Sequence, residues 1–177
     1  MSTDSQLSST DHEHRGRLPF DPIDEAAKRW DQRYPETARM HAVTSLMRVH
    51  QLVLTELDEL LRPLNLTFAR YEVLVLLSFT RHGSLPMGKI GERLQVHATS
   101  VTSLVKRLVD AGLIERSPHP EDGRTVLAGI TARGRSVLEE ATEVITGAQF
   151  ALSTMTTEQC VELSRMLRGP RSAAGDF

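Results

Sequence analysis

The sequence predicts a mainly α-helical protein whose middle is a winged helix-turn-helix with a small antiparallel β-hairpin wing. Apolar residues recur at helical spacing over most of the chain, and the period changes from helical to alternating only between Leu113 and Ile130. A short helix, a three-residue turn and a second helix directly precede that change. The 177 residues, 40% hydrophobic and 25% charged, suffice for one core, and aromatics at 5% leave aliphatic side chains to fill it.

Residues 1–17 are rich in Ser, Thr, Asp and His, and a disordered tail is expected over 1–21. Residues 22–36 form an N-terminal extension. Pro22 suits the first turn of a short helix there, with Ile23, Ala26, Ala27 and Trp30 at helical spacing, and Pro35 interrupts it. A long helix from Thr37 to Leu61 carries Met40, Val43, Met47, Val53, Leu54, Leu57, Leu60 and Leu61, and Pro63 stops it. Thr67 caps a helix to about Phe79, and Gly83 breaks it. Residues 85–87 read as extended, and a small helix with Ile90 and Leu94 on one face follows.

The turn 95–97 leads into a helix over 98–111, with Gly112 placed for a left-handed C-terminal cap. Strands are expected at 113–117 and 125–130, joined by a hairpin tip with two prolines and an Asp-Gly. Thr131 caps a helix to about Leu152, with Val137, Leu138, Ala141, Val144, Ile145 and Ala148 inward. A capping box at Thr156 and Gln159 opens the last helix, expected to end near Gly169-Pro170 and to leave 171–177 as a flexible tail.

Composition excludes several classes. The single cysteine, Cys160, rules out an intramolecular disulfide framework and any site of several thiolates. The longest apolar run, residues 73–77, falls far short of the roughly 20 residues of a membrane span. The polar N-terminus has no apolar signal core, so a cytoplasmic protein without a membrane partner is expected. No nucleophile elbow, glycine-rich phosphate loop or His/Asp pair near a serine points to an enzyme, and no cofactor is expected. Asp58 and Glu59, adjacent on a helix, point in different directions. His41 and His50 do not fall on adjacent turns, and His12-Glu13-His14 is no metalloprotease motif. The net charge of −2 hides a partition: residues 81–135 carry nine Lys/Arg against five Asp/Glu, and the remainder is acidic. A basic segment between acidic flanks suggests a polyanion-binding element or merely a solvated surface.

The candidate chemistry sits on the helix over 98–111. Val101, Leu104, Val105 and Leu108 share one side; Thr99, Ser103, Lys106 and Arg107 lie opposite, with Ser100 and Thr102 at the margins. Small hydroxyls let such a helix approach base edges, and the two cations reach flanking phosphates. The same residues also suit an ordinary solvated face. The hairpin tip that follows favours the first reading, because Arg124 on an exposed ribbon is placed to enter a minor groove. Asp122, two residues before it, is expected to orient the guanidinium.

The stretch 95–131, QVHATSVTSLVKRLVDAGLIERSPHPEDGRTVLAGIT, resembles the MarR family of bacterial transcription regulators. The family motif Asp-x-Arg, five residues, Leu-Thr reads here Asp122, Arg124, Ile130 and Thr131, with Ile replacing Leu. The resemblance spans about residues 37–168. It implies a helical dimerisation region from 37–66 and 131–170, a DNA-binding winged helix-turn-helix over 67–130, and a homodimer on a pseudo-palindromic operator, its recognition helices about 34–36 Å apart. Thr99, Ser100, Thr102, Ser103, Lys106 and Arg107 would then meet the major groove and its phosphates, and Arg124, with Asp122 beside it, the minor groove.

The resemblance further implies a repressor relieved by a small aromatic or anionic effector. Candidate lining residues are Met47, Arg48, His50, Leu54, Tyr71 and Val75, each of which also fits a core, interface or surface position. The added helix with Trp30 is similar to that of the urate-responsive branch of the family, with Asp58 and Arg93 as possible counterparts of its acidic and basic site residues. Alternatively, Trp30 only staples the extension. Peroxide-sensing members carry a cysteine near the start of the first long helix, where this chain has none. The competing readings are a zinc-responsive member of the family and a helical homodimeric protein-interaction module without DNA binding.

Overall fold

The structure, a computed structural model, describes residues 18–122 and 124–177. Among them the order is α1 (Pro22–Asp31), α2 (Thr37–Leu61), a 3-10 turn (Arg62–Leu64), α3 (Phe68–Ser78), β1 (Ser84–Pro86), α4 (Met87–Leu94), α5 (Ala98–Asp110), β2 (Ile114–Pro118), β3 (Val126–Ile130), α6 (Ala132–Gly147), a second 3-10 turn (Gln149–Ala151) and α7 (Thr157–Ala173). The chain divides into two compact units, residues 1–51 and 52–177. The tail expected over 1–21 lies outside the described residues except for 18–21, of which Asp21 is the N-cap of the first helix.

In the first unit, Asp21 caps α1 by accepting from the backbone N–H of Ile23 at 2.8 Å and of Asp24 at 3.3 Å. Pro22 takes the first helical position, Asp24 and Glu25 fill the first turn, and Lys28 and Arg29 the last, in line with the helix dipole. The Asp24 carboxylate meets His41 Nε2 of α2 at 2.9 Å, and Thr37 Oγ donates to Asp31 at 2.7 Å, so α1 and the start of α2 are tied by side chains at both ends.

The second unit holds the core. Leu57, Leu61, Leu66, Tyr71, Val73, Leu74, Leu77, Ile90, Val101, Val105, Leu108, Ile114, Ala128, Ile130, Leu138, Ala141 and Ile145 form one buried cluster. The Thr67 hydroxyl accepts from Arg70 N–H, as its capping position predicts. α5 ends on Gly112, left-handed at φ 70°. There Leu113 N–H bonds to Leu108 O at 2.9 Å and Gly112 N–H to Val109 O at 2.8 Å, a Schellman closure that turns the chain directly into β2.

The hairpin expected from sequence is part of a three-stranded sheet, order β1-β3-β2, all antiparallel. β1 was legible only as extended residues: three positions are too few to show a period. β3 pairs with it from Ser84↔Gly129 to Pro86↔Leu127 and with β2 from Ile114↔Ile130 to Pro118↔Val126. Gly134, in the first turn of α6, lies so close to β2 that a Cβ there would fall 2.1 Å from the Leu113 carbonyl oxygen.

Two boundaries differ from the expectation. α6 stops at Gly147 rather than near Leu152, because Gln149, Phe150 and Ala151 adopt successive left-handed conformations, with φ of 52°, 54° and 59°. α7 runs through Pro170 to Ala173 and does not end near it. A proline late in a helix forfeits one N–H bond and leaves the following residues free to continue. Gly175 then closes it: Asp176 N–H bonds to Arg171 O at 3.1 Å and Gly175 N–H to Ser172 O at 3.0 Å. Asp176 pairs with Arg171, and Phe177 lies under the Arg168 guanidinium at 4.7 Å, so residues 171–177 carry defined contacts where a flexible tail was expected.

Candidate nucleic-acid interface

α5 is held by one face. Val101, Val105 and Leu108 are buried, which leaves Thr99, Ser100, Thr102, Ser103, Lys106 and Arg107 exposed, as the helical spacing predicts. The Thr102 hydroxyl donates to Ala98 O at 3.0 Å, so its proton stays on its own helix and only its lone pairs face outward. The left-handed Gln95, at φ 52°, ends α4, and Val96 N–H bonds to Gly91 O at 3.2 Å. His97 then caps α5 in an extended conformation without a side-chain capping bond, leaving an exposed imidazole at the helix N-terminus. Sequence reading passed over His97 because it sits in the turn, outside the helical wheel.

The wing tip is pinned by Asp122. Its Oδ1 accepts from Arg124 N–H at 3.0 Å and its Oδ2 from the Thr125 hydroxyl at 2.7 Å. The bond from Thr125, then that from Arg124 N–H, and the nearby His119 hold this carboxyl below the usual aspartate range. The expectation that Asp122 orients the Arg124 guanidinium is therefore corrected. Asp122 fixes the Arg124 backbone, because a carboxylate two residues back closes an Asx turn before it can reach the end of an arginine. The tip is closed further by His119 N–H to Thr125 O at 2.9 Å. The exposed Arg124 guanidinium has no hydrogen bond or ion pair among the described residues. Arg116, exposed on β2, adds a second cation to the wing, which the motif reading did not single out.

The candidate effector residues are divided between the two units, Trp30, Met47, Arg48 and His50 in the first and Leu54, Tyr71 and Val75 in the second. Tyr71 and Val75 line a cleft of about 480 Å³ in the second unit, with Phe79, Leu138, Thr142 and Arg135 around them. The Tyr71 hydroxyl lies 3.2 Å from Thr142 Oγ. Met47 and Arg48 line a groove of the first unit, about 340 Å³, beside Ile23, Ala26 and Val43. Trp30, His50 and Leu54 line neither. The Trp30 indole N–H donates to Pro35 O at 2.8 Å and its ring packs on Tyr34 at 4.8 Å. Of the other two residues compared with the urate-responsive branch, Asp58 accepts from Phe68 N–H at 2.7 Å and Arg93 is exposed on α4. Cys160 is half-buried beside Met155 and Thr156. Among the described residues, no group of three or more His, Cys, Asp or Glu is placed to hold a metal ion, and no helix is long and apolar enough to cross a membrane.

A winged helix-turn-helix with a hydroxyl-and-cation face on its second helix and an unpaired arginine on its wing has the form of a DNA-binding domain. Residues 66–126 match the MarR family. The organic hydroperoxide resistance transcriptional regulator of Bacillus subtilis is 35% identical over 108 residues, 61% of this chain and 71% of that protein. The crystal structure of Sco5413, a MarR family transcriptional regulator from Streptomyces coelicolor, is similar with a TM-score of 0.75 and 51% identity, covering 80% of this chain and 99% of that one. A cysteine-to-serine variant of MarR from E. coli, crystallised with operator DNA, aligns at TM-score 0.60 and 25% identity over 72% of this chain and 94% of that one. The chain belongs to the MarR family of transcriptional regulators.

Proposed function

We propose that the protein is a homodimeric repressor that binds a pseudo-palindromic operator in the cytoplasm and is released from it by a small effector. The observation that carries this reading is the pairing of the exposed α5 face with an unpartnered Arg124 on a wing whose backbone is pinned by Asp122. In each protomer α5 enters a major groove, where Thr99, Ser100, Thr102 and Ser103 approach base edges while Lys106 and Arg107 take phosphates. Arg124 enters the adjoining minor groove. That the E. coli relative was crystallised with operator DNA supports the DNA-binding reading.

Dimerisation falls to residues 37–66 and 131–170, on either side of the winged domain at 67–130. Val43, Leu46, Met47, Val49 and Leu52 on α2, and Val161 and Met166 on α7, are exposed apolar side chains on long helices, which a second copy of the chain would cover. The effector enters the cleft at Tyr71 and Val75, whose apolar walls suit an aromatic ring, with Arg135 lining it beside Glu139 and Glu143. The test is titration of operator-bound protein with aromatic carboxylates and with uric acid. Release by either, lost in Tyr71→Ala, supports the cleft; release that persists undiminished in Tyr71→Ala places the effector elsewhere.

A further inference from the structure

His119 lies on the wing, outside the Asp-x-Arg motif, and its position is closely fixed. It follows the last β2–β3 pair, Pro118↔Val126, and its own N–H bonds to Thr125 O at 2.9 Å. It therefore faces, across the hairpin, the neighbour of Arg124. Pro118 and Pro120 enclose it in the chain. A proline fixes its own φ and confines the residue before it to extended backbone, so this side of the tip has little freedom.

The ring is held as well. Its Nδ1 accepts from the Glu121 backbone N–H at 3.2 Å. A ring nitrogen that accepts a hydrogen bond carries no proton, so the neutral imidazole keeps its proton on Nε2. Nε2–H is thus a donor on the side of the ring away from the Glu121 bond, and it meets no acceptor among the described residues. Asp122 does not take it: the two carboxylate oxygens accept from Arg124 N–H and from the Thr125 hydroxyl. Neither Asp122 nor the exposed Glu121 forms an ion pair with His119. A donor whose backbone and second ring nitrogen are already bonded makes a new contact at little entropic cost.

We propose that His119 is a DNA-contact residue of the wing, its neutral Nε2–H donating to a backbone phosphate oxygen beside the groove that Arg124 enters. The inference rests on the DNA-binding reading above. A minor groove about 6 Å wide does not admit both strands of a ribbon spaced about 4.8 Å apart together with their side chains. With Arg124 in the groove, the opposite strand lies against the groove wall, where the acceptors are phosphate oxygens. The bond adds affinity and fixes register without reading sequence. A neutral donor releases no counterion, so it leaves the salt dependence of binding unchanged.

Two substitutions separate the roles of the two ring nitrogens. His119→Asn keeps an oxygen that can accept from Glu121 N–H and removes the outward donor; His119→Gln keeps a donor near the place of Nε2 and removes the acceptor. The full chain is titrated by fluorescence anisotropy against operator and a scrambled duplex over a range of salt, at about pH 8, where ordinary imidazoles are neutral. His119→Asn is expected to bind both duplexes about tenfold more weakly with the wild-type log–log salt slope, and His119→Gln to lose clearly less. Wild-type affinity in His119→Asn, an equal or larger loss in His119→Gln, or a slope flattened by about 2 for a dimer overturns the contact. The tautomer is read in the free protein from the imidazole nitrogen resonances; a proton on Nε2 is expected, and one on Nδ1 overturns the proposal. Thermal unfolding of both free variants is recorded. If either unfolds, the wild-type His119 Nε2 resonance decides: it is expected to shift when either duplex is added, and an unmoved resonance overturns the contact. Wild type binding neither duplex is a distinct result, which removes the DNA-binding reading itself and the contact with it.

Discussion

Asp122 and Arg124 divide the work at the wing. The carboxylate is spent on the Arg124 N–H and the Thr125 hydroxyl, so the turn is set without using the arginine side chain, which stays available. Arg124→Ala is therefore expected to lower operator affinity at least about tenfold while leaving the dimer mass in sedimentation unchanged; unchanged affinity at moderate salt shows that the wing does not read DNA. The Asp122 carboxyl is held below its ordinary pKa by bonds made only in the folded wing. Its contribution is present above the ordinary aspartate pKa and is lost as pH falls through the depressed folded value. Amide shifts of Arg124 and Thr125 should accordingly titrate with a midpoint below the ordinary aspartate value of about 3.9, and a midpoint at or above it contradicts the turn. The residue types were legible from the Asp-x-Arg spacing. The division of labour was not, because the spacing does not distinguish a bond to a backbone N–H from one to a guanidinium.

At the scale of the element, caps and glycines were the readable features. Thr67, Gly112, Thr131 and Thr156 each stop or start a helix by a bond that its own side chain or backbone conformation provides, whereas the cap at Asp21 lay in the expected tail and was not read. Elements set by tertiary pairing were harder to read. β1 exists because β3 offers it an edge, and Ile130 N–H reaches back to Gly83 O at 2.8 Å. The break after α6 escaped because Gln149, Phe150 and Ala151 are ordinary residues in a conformation that usually asks for glycine. That strain can be measured. Gln149 is exposed, so Gln149→Gly removes the left-handed penalty without opening a cavity. It is expected to raise stability in urea unfolding by about 0.5–1 kcal/mol, after the larger unfolded-state entropy of glycine is subtracted. A loss of similar size contradicts the left-handed turn.

At the scale of the molecule, the sequence separated a basic reading segment from acidic surroundings, and the structure puts the winged elements of that segment in one core with α3 and α6. The effector candidates were less legible. They were chosen by period on two helices, and period cannot say which side chains meet across the fold; Tyr71 and Val75 share a cleft, whereas Met47 and Arg48 line a groove of the other unit. The dimer is the other property of the whole. Leu46, 45% exposed on α2, is not part of the buried core among the described residues. Leu46→Glu is expected to shift sedimentation from dimer to monomer and to weaken operator binding at least about a hundredfold, since each half-site alone is bound weakly. A stable dimer in this variant moves the interface away from that face of α2.

The most direct measurement is a fluorescence-anisotropy titration of the purified protein against DNA from upstream of its own gene, with a scrambled duplex at the same salt. Saturable binding to the upstream DNA, about 1000-fold tighter than to the scramble, is the expected result and lies within the range of specific regulators. No binding to either duplex, even at low salt, contradicts the account and leaves a helical dimer that engages other proteins in its place.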